Sequence, residues 1–251
     1  MLFLMVVLSL TWASMSFATT TDDEVRARLI LDLIDDLWRA DSSESTVTMR
    51  VVTANYRRTV TMQNWTLGKN YSLVRIVSPQ KEKGTATLKS GNVIYTYLPK
   101  TDRTIRLTSG MMMGSWMGSH FTNDDLVKES RMADDYIPRL GFEGDREGRS
   151  ILEFILEPKP EAPVVWGRVV ITVLAESYLP LVSLYYDEDL SLVRTVTFSD
   201  FVEMGGRTLP ARLRVVPTEE PDEYTELIYE DIRFGVLVPE SFFSLQQLRR
   251  Q

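Results

Sequence analysis

Cysteine is absent from this chain, and histidine occurs once, at position 120. The first absence excludes disulfides, thiolate metal sites and a thiol nucleophile. The second leaves zinc with one imidazole and carboxylates, without HExxH or paired cysteines. Positive charge is also short: 28 Lys and Arg stand against 35 Asp and Glu, a formal net charge of −7. That balance argues against nucleic-acid binding through counterion release. No Walker loop or dinucleotide fingerprint occurs, and beyond the N-terminus no run of about 18 apolar residues predicts a membrane-spanning helix.

What is present begins with an export signal. Met1 to Leu10 is apolar apart from Ser9 and too short to span a bilayer, and Ser16-Phe17-Ala18 puts small residues at the two positions a signal peptidase reads. The expectation is a signal peptide over residues 1–18, cleaved after Ala18, with residues 19–251 forming a single soluble domain. A retained N-terminal anchor is the alternative, since no Lys or Arg precedes the apolar stretch.

Thr21-Asp22-Asp23-Glu24 matches a capping box. Val25, Leu29, Leu33 and Leu37 follow at intervals of four, widened by Ile30 and Ile34, which predicts an amphipathic helix from about Asp22 to Trp38. Strands are expected at Thr46 to Thr53, Arg58 to Leu67, Tyr71 to Val77, Gly84 to Leu88, Val93 to Leu98 and Thr104 to Leu107, broken by short polar turns. Between Ser109 and Pro138 the strand pattern stops, and Thr122 to Asp125 caps a short helix from Asp124 to Lys128. Meander character returns after Gly141, with Gly205-Gly206 a hairpin turn and a short apolar helix at the C-terminus. The fold class is mainly antiparallel β with α (α+β), with about ten or eleven strands and three or four helices.

Catalytic constellations are weak. A serine such as Ser115 or Ser119 beside His120 lacks the strand-turn-helix context of a nucleophile elbow. Asp124-Asp125 and Asp134-Asp135 lack the alternating oxygen ligands of an EF-hand loop. Glu153 and Glu157 share a strand face but lie roughly 13 Å apart by strand rise, too far for a glycosidase dyad. The sequence therefore predicts no catalytic residue, no metal site and no cofactor.

The informative feature is soft apolar side chains. Met49 and Met62 lie on early strands, and Met111, Met112, Met113 and Met117 cluster beside Trp116 and Phe121. Methionine adapts to irregular apolar partners. Such a cluster suits a movable lid over an apolar cavity, or a plug that fills a curved sheet, and composition does not separate the two.

The order of elements resembles the outer-membrane lipoprotein-sorting family, the periplasmic lipoprotein carriers and their LolA-like relatives. The resemblance rests on the N-terminal helix, Ser78-Pro79-Gln80-Lys81-Glu82-Lys83-Gly84-Thr85, Val93-Ile94-Tyr95-Thr96-Tyr97-Leu98-Pro99, the run from Gly114 to Leu126, Val164-Val165-Trp166-Gly167 and Leu209-Pro210. It implies a strongly curved, incomplete β-barrel whose concave side is covered by helices and receives acyl chains of a lipoprotein or lipid. It also implies a periplasmic location, non-catalytic transfer, and partners at an inner-membrane transporter and an outer-membrane acceptor. The expected lipid-binding residues are Met49, Met62, Tyr95, Tyr97, Met111, Met112, Met113, Trp116, Met117 and Phe121, with Arg50 a candidate polar contact. A structural or protein-interaction module of the cell envelope, or an enzyme acting on envelope lipids, are the alternatives.

Overall fold

A computed structural model describes residues 22–128, 132–160, 162 and 164–250. The expected signal peptide and Thr21 of the capping box lie outside them. Alternating inward and outward side chains organise the chain into two meanders. The first contains β1 (Ser42–Val52), β2 (Arg57–Leu67), β3 (Tyr71–Ser78), β4 (Ala86–Ser90), β5 (Val93–Leu98) and β6 (Arg103–Arg106). The second contains β7 (Tyr136–Arg146), β8 (Arg149–Pro158), β9 (Arg168–Leu174), β10 (Pro180–Tyr186), β11 (Leu192–Met204), β12 (Arg207–Pro217) and β13 (Tyr224–Phe234). Antiparallel pairing of β1 with β13 fuses them into one curved, unclosed sheet of 13 strands, with β6 and β7 at its edges.

Strands thus outnumber the expected ten or eleven. Pro138, Gly141 and Gly144 disguise β7, which carries a bulge between Leu140 and Phe142. An edge strand tolerates proline because one side of it makes no ladder hydrogen bonds. Strand β11 runs unbroken over Leu192–Met204, irregular at Asp200 with φ 56°. The Gly205-Gly206 turn forms as its chemistry requires, at φ 60° and 80°.

The two faces of the sheet bury separate clusters. On the inner face, Val47, Met49, Met62, Ile76, Phe154, Ile171, Val196 and Val215 pack beneath helix α1 (Asp22–Asp36) and the short helices α2 (Asp125–Lys128) and α3 (Met132–Asp135). On the outer face, Leu73, Ala86, Leu88 and Tyr97 pack beneath Phe243 and Leu248 of the C-terminal segment, which includes α4 (Leu245–Leu248).

Helix α1 is rotated relative to the sequence expectation. Its buried row is Ala27, Ile30 and Leu31, continued by Ile34, whereas Val25, Leu29 and Leu33 are 47%, 62% and 53% exposed. The helix carries two apolar rows, and its flanks select between them. The Arg26 guanidinium donates to both oxygens of Glu143 on β7 at 2.9 and 3.0 Å, and Lys69 in the β2–β3 turn donates to Asp32 at 2.8 Å. Leu31→Ala should therefore lower stability by about 2–5 kcal/mol, while Leu29→Ala should change it by less than about 0.5 kcal/mol. Urea unfolding midpoints check this ranking; equal losses would refute the rotation.

Candidate functional site

The inner face is not completely filled. A cavity of about 160 Å³ lies between the sheet and its cover. Its walls include Val47, Met62 and Val74 from β1–β3, Ile171, Tyr185, Phe198, Leu213, Leu227 and Tyr229 from the second meander, and Ile34 and Trp38 from α1 and the turn after it. Trp38 stacks on Phe198 and on Tyr229, with ring centroids 6.0 Å apart in each pair. The remaining apolar wall, Trp116, Phe121, Leu126 and Met132, belongs to the stretch between the edge strands β6 and β7.

That stretch is built from one-turn pieces whose own hydrogen bonds, such as Asn123 N–H to the Gly114 carbonyl and Asp124 N–H to the Met112 carbonyl, knit it to itself and not to the sheet. Ser115 bridges Thr122, and the Trp116 N–H donates to the Phe121 carbonyl at 2.8 Å, which closes a tight loop with Met117 and Gly118 at positive φ. Polar pins attach the loop to the sheet. Arg58 on β2 donates to the Met117 carbonyl and holds Glu82 in a salt bridge, and Tyr56 donates to the Gly118 carbonyl. The Trp116 indole N–H donates to Thr87 on β4 at 3.2 Å. His120 Nδ1 lies 2.8 Å from Thr225 Oγ1 on β13, and Nε2 lies 3.3 Å from Glu223 Oε2. The Glu223 carboxyl is held below the ordinary carboxylate range by the Ala54 N–H that it accepts, and then by His120.

The strongest pin is buried. Arg194 on β11 donates from both terminal nitrogens to Asp125 at 2.7 Å, with both side chains less than a tenth exposed. Trp166 and Tyr185 place their rings 4.6 and 4.3 Å from the guanidinium. Asp125 and Thr122 also cap each other: the Thr122 N–H donates to Asp125 Oδ2 at 2.7 Å and the Asp125 N–H to Thr122 Oγ1 at 3.2 Å. Gly167 lets Trp166 sit there, because a Cβ at this position would lie 2.3 Å from the Asp187 carbonyl oxygen. Tyr136 donates to the Trp166 carbonyl at 3.3 Å; burial, then the nearby carboxylates of Asp124, Asp135 and Asp125, raise its phenol above the ordinary range.

Of the residues singled out in the sequence, the structure brings Met62, Trp116 and Phe121 to the cavity. Met49 is buried in the surrounding core, and Met117 packs against it. Tyr95 and Tyr97 face the other way, into the cluster beneath the C-terminal segment, where the Tyr97 hydroxyl donates to Asp102 at 3.0 Å. Met111 and Met113 are exposed, Met112 is half-buried, and Arg50 projects into solvent from β1. Sequence reasoning missed Arg194, Trp38 and the polar group Asp35, Arg39, Asn64 and Ser72. The signal for Arg194 was available: it shares inward parity with Val196 and Phe198 on an alternating strand, an unusual place for a charge. The serines near His120 are engaged elsewhere, Ser115 with the Ser119 carbonyl and Ser119 with the Trp116 carbonyl.

A family model described only as an uncharacterized protein matches residues 68–250. The chain belongs to that family. No curated protein matches the chain, but solved structures do. A DUF1329 family protein from Desulfovibrio piger superposes with a TM-score of 0.80 at 21% identity, covering 91% of this chain and all of the other. A Vibrio parahaemolyticus domain named for outer membrane lipoprotein sorting gives 0.77 at 22% identity, covering 90% and 100%. A LolA superfamily protein from Nitrosomonas europaea gives 0.74 at 21% identity, covering 88% and 98%. The fold is LolA-like.

The Arg194–Asp125 pair yields a test. Arg194→Met leaves a buried carboxylate without its cation and should cost about 3–5 kcal/mol, whereas adding Asp125→Asn, which removes the charge and keeps an acceptor for the Thr122 N–H, should recover part of that loss. A double-mutant cycle by chemical denaturation measures both; additive losses would show that the two side chains act independently.

Proposed function

We propose that the protein binds and carries a lipid, or the acyl chains of a lipoprotein, in the cavity beneath its cover, without catalysis. The observation that carries this reading is an apolar cavity whose wall is partly formed by a short-helix cover pinned to the sheet through separable polar contacts. The family resemblance in the sequence and the LolA-like fold support it. They also support a periplasmic chain, residues 19–251 after signal cleavage, that passes cargo between an inner-membrane transporter and an outer-membrane acceptor.

At about 160 Å³ the resting cavity is smaller than the roughly 300–1,000 Å³ usual for ligand pockets. Uptake therefore requires Trp116, Phe121 and Leu126 to move aside. An acyl chain then replaces the contacts those side chains leave, at about 0.8 kcal/mol for each buried methylene. The exchange of one apolar partner for another keeps the net gain moderate, which suits a carrier that must release its load.

Protein purified without detergent and analysed by lipid mass spectrometry should contain bound lipid or take it up from phosphatidylethanolamine vesicles. Phe121→Asp should reduce uptake at least about tenfold, through an unpaired charge at an apolar wall, and melting curves show whether the variant folds. Arg58→Gln should accelerate uptake of the apolar dye N-phenyl-1-naphthylamine by removing one pin. A wild-type protein that holds no lipid and admits neither lipid nor dye would overturn the proposal.

A further inference from the structure

The cavity is polar at one end. Where α1 runs into β1, its lining includes Asp35, Arg39, Asn64, Thr66 and Ser72, against walls elsewhere that are apolar apart from Asp125 and Ser183. Asp125 is matched by Arg194, and Asp35 lies 3.6 Å from the Lys69 ammonium, which also donates to Asp32 at 2.8 Å. Arg39 is the cation of the lining, and among the described residues its guanidinium has no hydrogen bond or ion pair. Asp36, three residues before Arg39, is exposed.

Two neutral groups at the same end are also unsatisfied. Asn64 Oδ1 is enclosed without a partner, and its Nδ2 reaches only Ser45 Oγ, at 3.5 Å. A flip of that amide turns its N–H₂ toward a guest. The half-buried Ser72 hydroxyl has no protein partner among the described residues, whereas Thr66 is engaged with Ser43 at 2.7 Å. An enclosed polar atom such as Asn64 Oδ1 is ordinarily satisfied, whereas Arg39 and Ser72 are half-buried. Here an unmatched planar cation, an amide and a hydroxyl face one end of an apolar space.

Building on the carrier reading, we propose that the guest is an amphiphile with an anionic head, a carboxylate or a phosphate monoester, held by Arg39 with Asn64 and Ser72 while its tail lies along the apolar walls. Guanidinium geometry suits both heads, since its two parallel N–H groups match two oxygens of either. A neutral head would satisfy the amide and hydroxyl and leave the charge unmatched.

The test uses delipidated full-length mature protein preloaded with N-phenyl-1-naphthylamine and titrated with laurate, dodecyl phosphate or dodecanol. One or both anions should displace the dye at concentrations at least about tenfold below dodecanol, as expected for a charge-assisted contact. The tighter of the two identifies the head. Arg39→Gln should bring the anions to the dodecanol level and leave dodecanol unchanged, while Arg39→Lys should keep part of the preference. Dodecanol binding as tightly as both anions, or an anion preference that survives Arg39→Gln in a protein with wild-type melting behaviour, would overturn the headgroup assignment and leave the carrier reading intact. Failure of all three amphiphiles to displace the dye would sink the carrier reading and this inference with it.

Discussion

The two edges of the sheet, β6 and β7, are consecutive strands in the chain. Because the sheet is fused at its middle through β1 and β13, its ends are left to be joined by the stretch from Leu107 to Asp135. In an unclosed, curved sheet that connection has to cross the open side. The cover over the inner face is therefore the crossing itself, and its placement follows from strand order. Helix α1 enters the same space from the other end, held by Arg26 to β7 and by Asp32 to the β2–β3 turn.

A covering segment made of single turns cannot be positioned by helix packing. The protein fixes it with polar contacts of defined geometry, spaced across β2, β4, β11 and β13. Each ordinary hydrogen bond contributes about 1 kcal/mol net, so no single pin prevents displacement. The buried Arg194–Asp125 pair is different in kind. Ion pairs of this sort add little over well-packed apolar groups but are costly to break singly. Such a pair fixes where α2 sits on the sheet more than it adds to overall stability.

Much of the architecture was legible in the sequence, because a two-residue period reports which side chains share a strand face. A two-residue period puts Val47, Met49 and Val51 on one face, where the structure has them, and Gly205-Gly206 forms the turn its residues predict. Parity does not say which face is the inner one. Tyr95 and Tyr97, expected at the lipid site, lie instead in the outer cluster, because their strand's inward positions are the even ones. Helix α1 posed the same ambiguity: two apolar rows satisfy the helical period, and ion pairs with residues far along the chain decide between them. The Met111 to Met113 run has no period at all, so its exposure could not be read. The partners Asp125 and Arg194 stand 69 residues apart, and no local pattern links them.

The cover and the polar end of the cavity obey opposite requirements. Side chains that must leave when a tail enters are best apolar and interchangeable with it, as Trp116, Phe121 and Leu126 are. A group that selects the guest must have no protein partner to compete with, and among the described residues Arg39 has none. In the carrier reading, retention at one end and displacement at the other are thus separate adjustments. Changing Arg39 alters which guest is held, and changing Arg58 alters how fast the cavity opens.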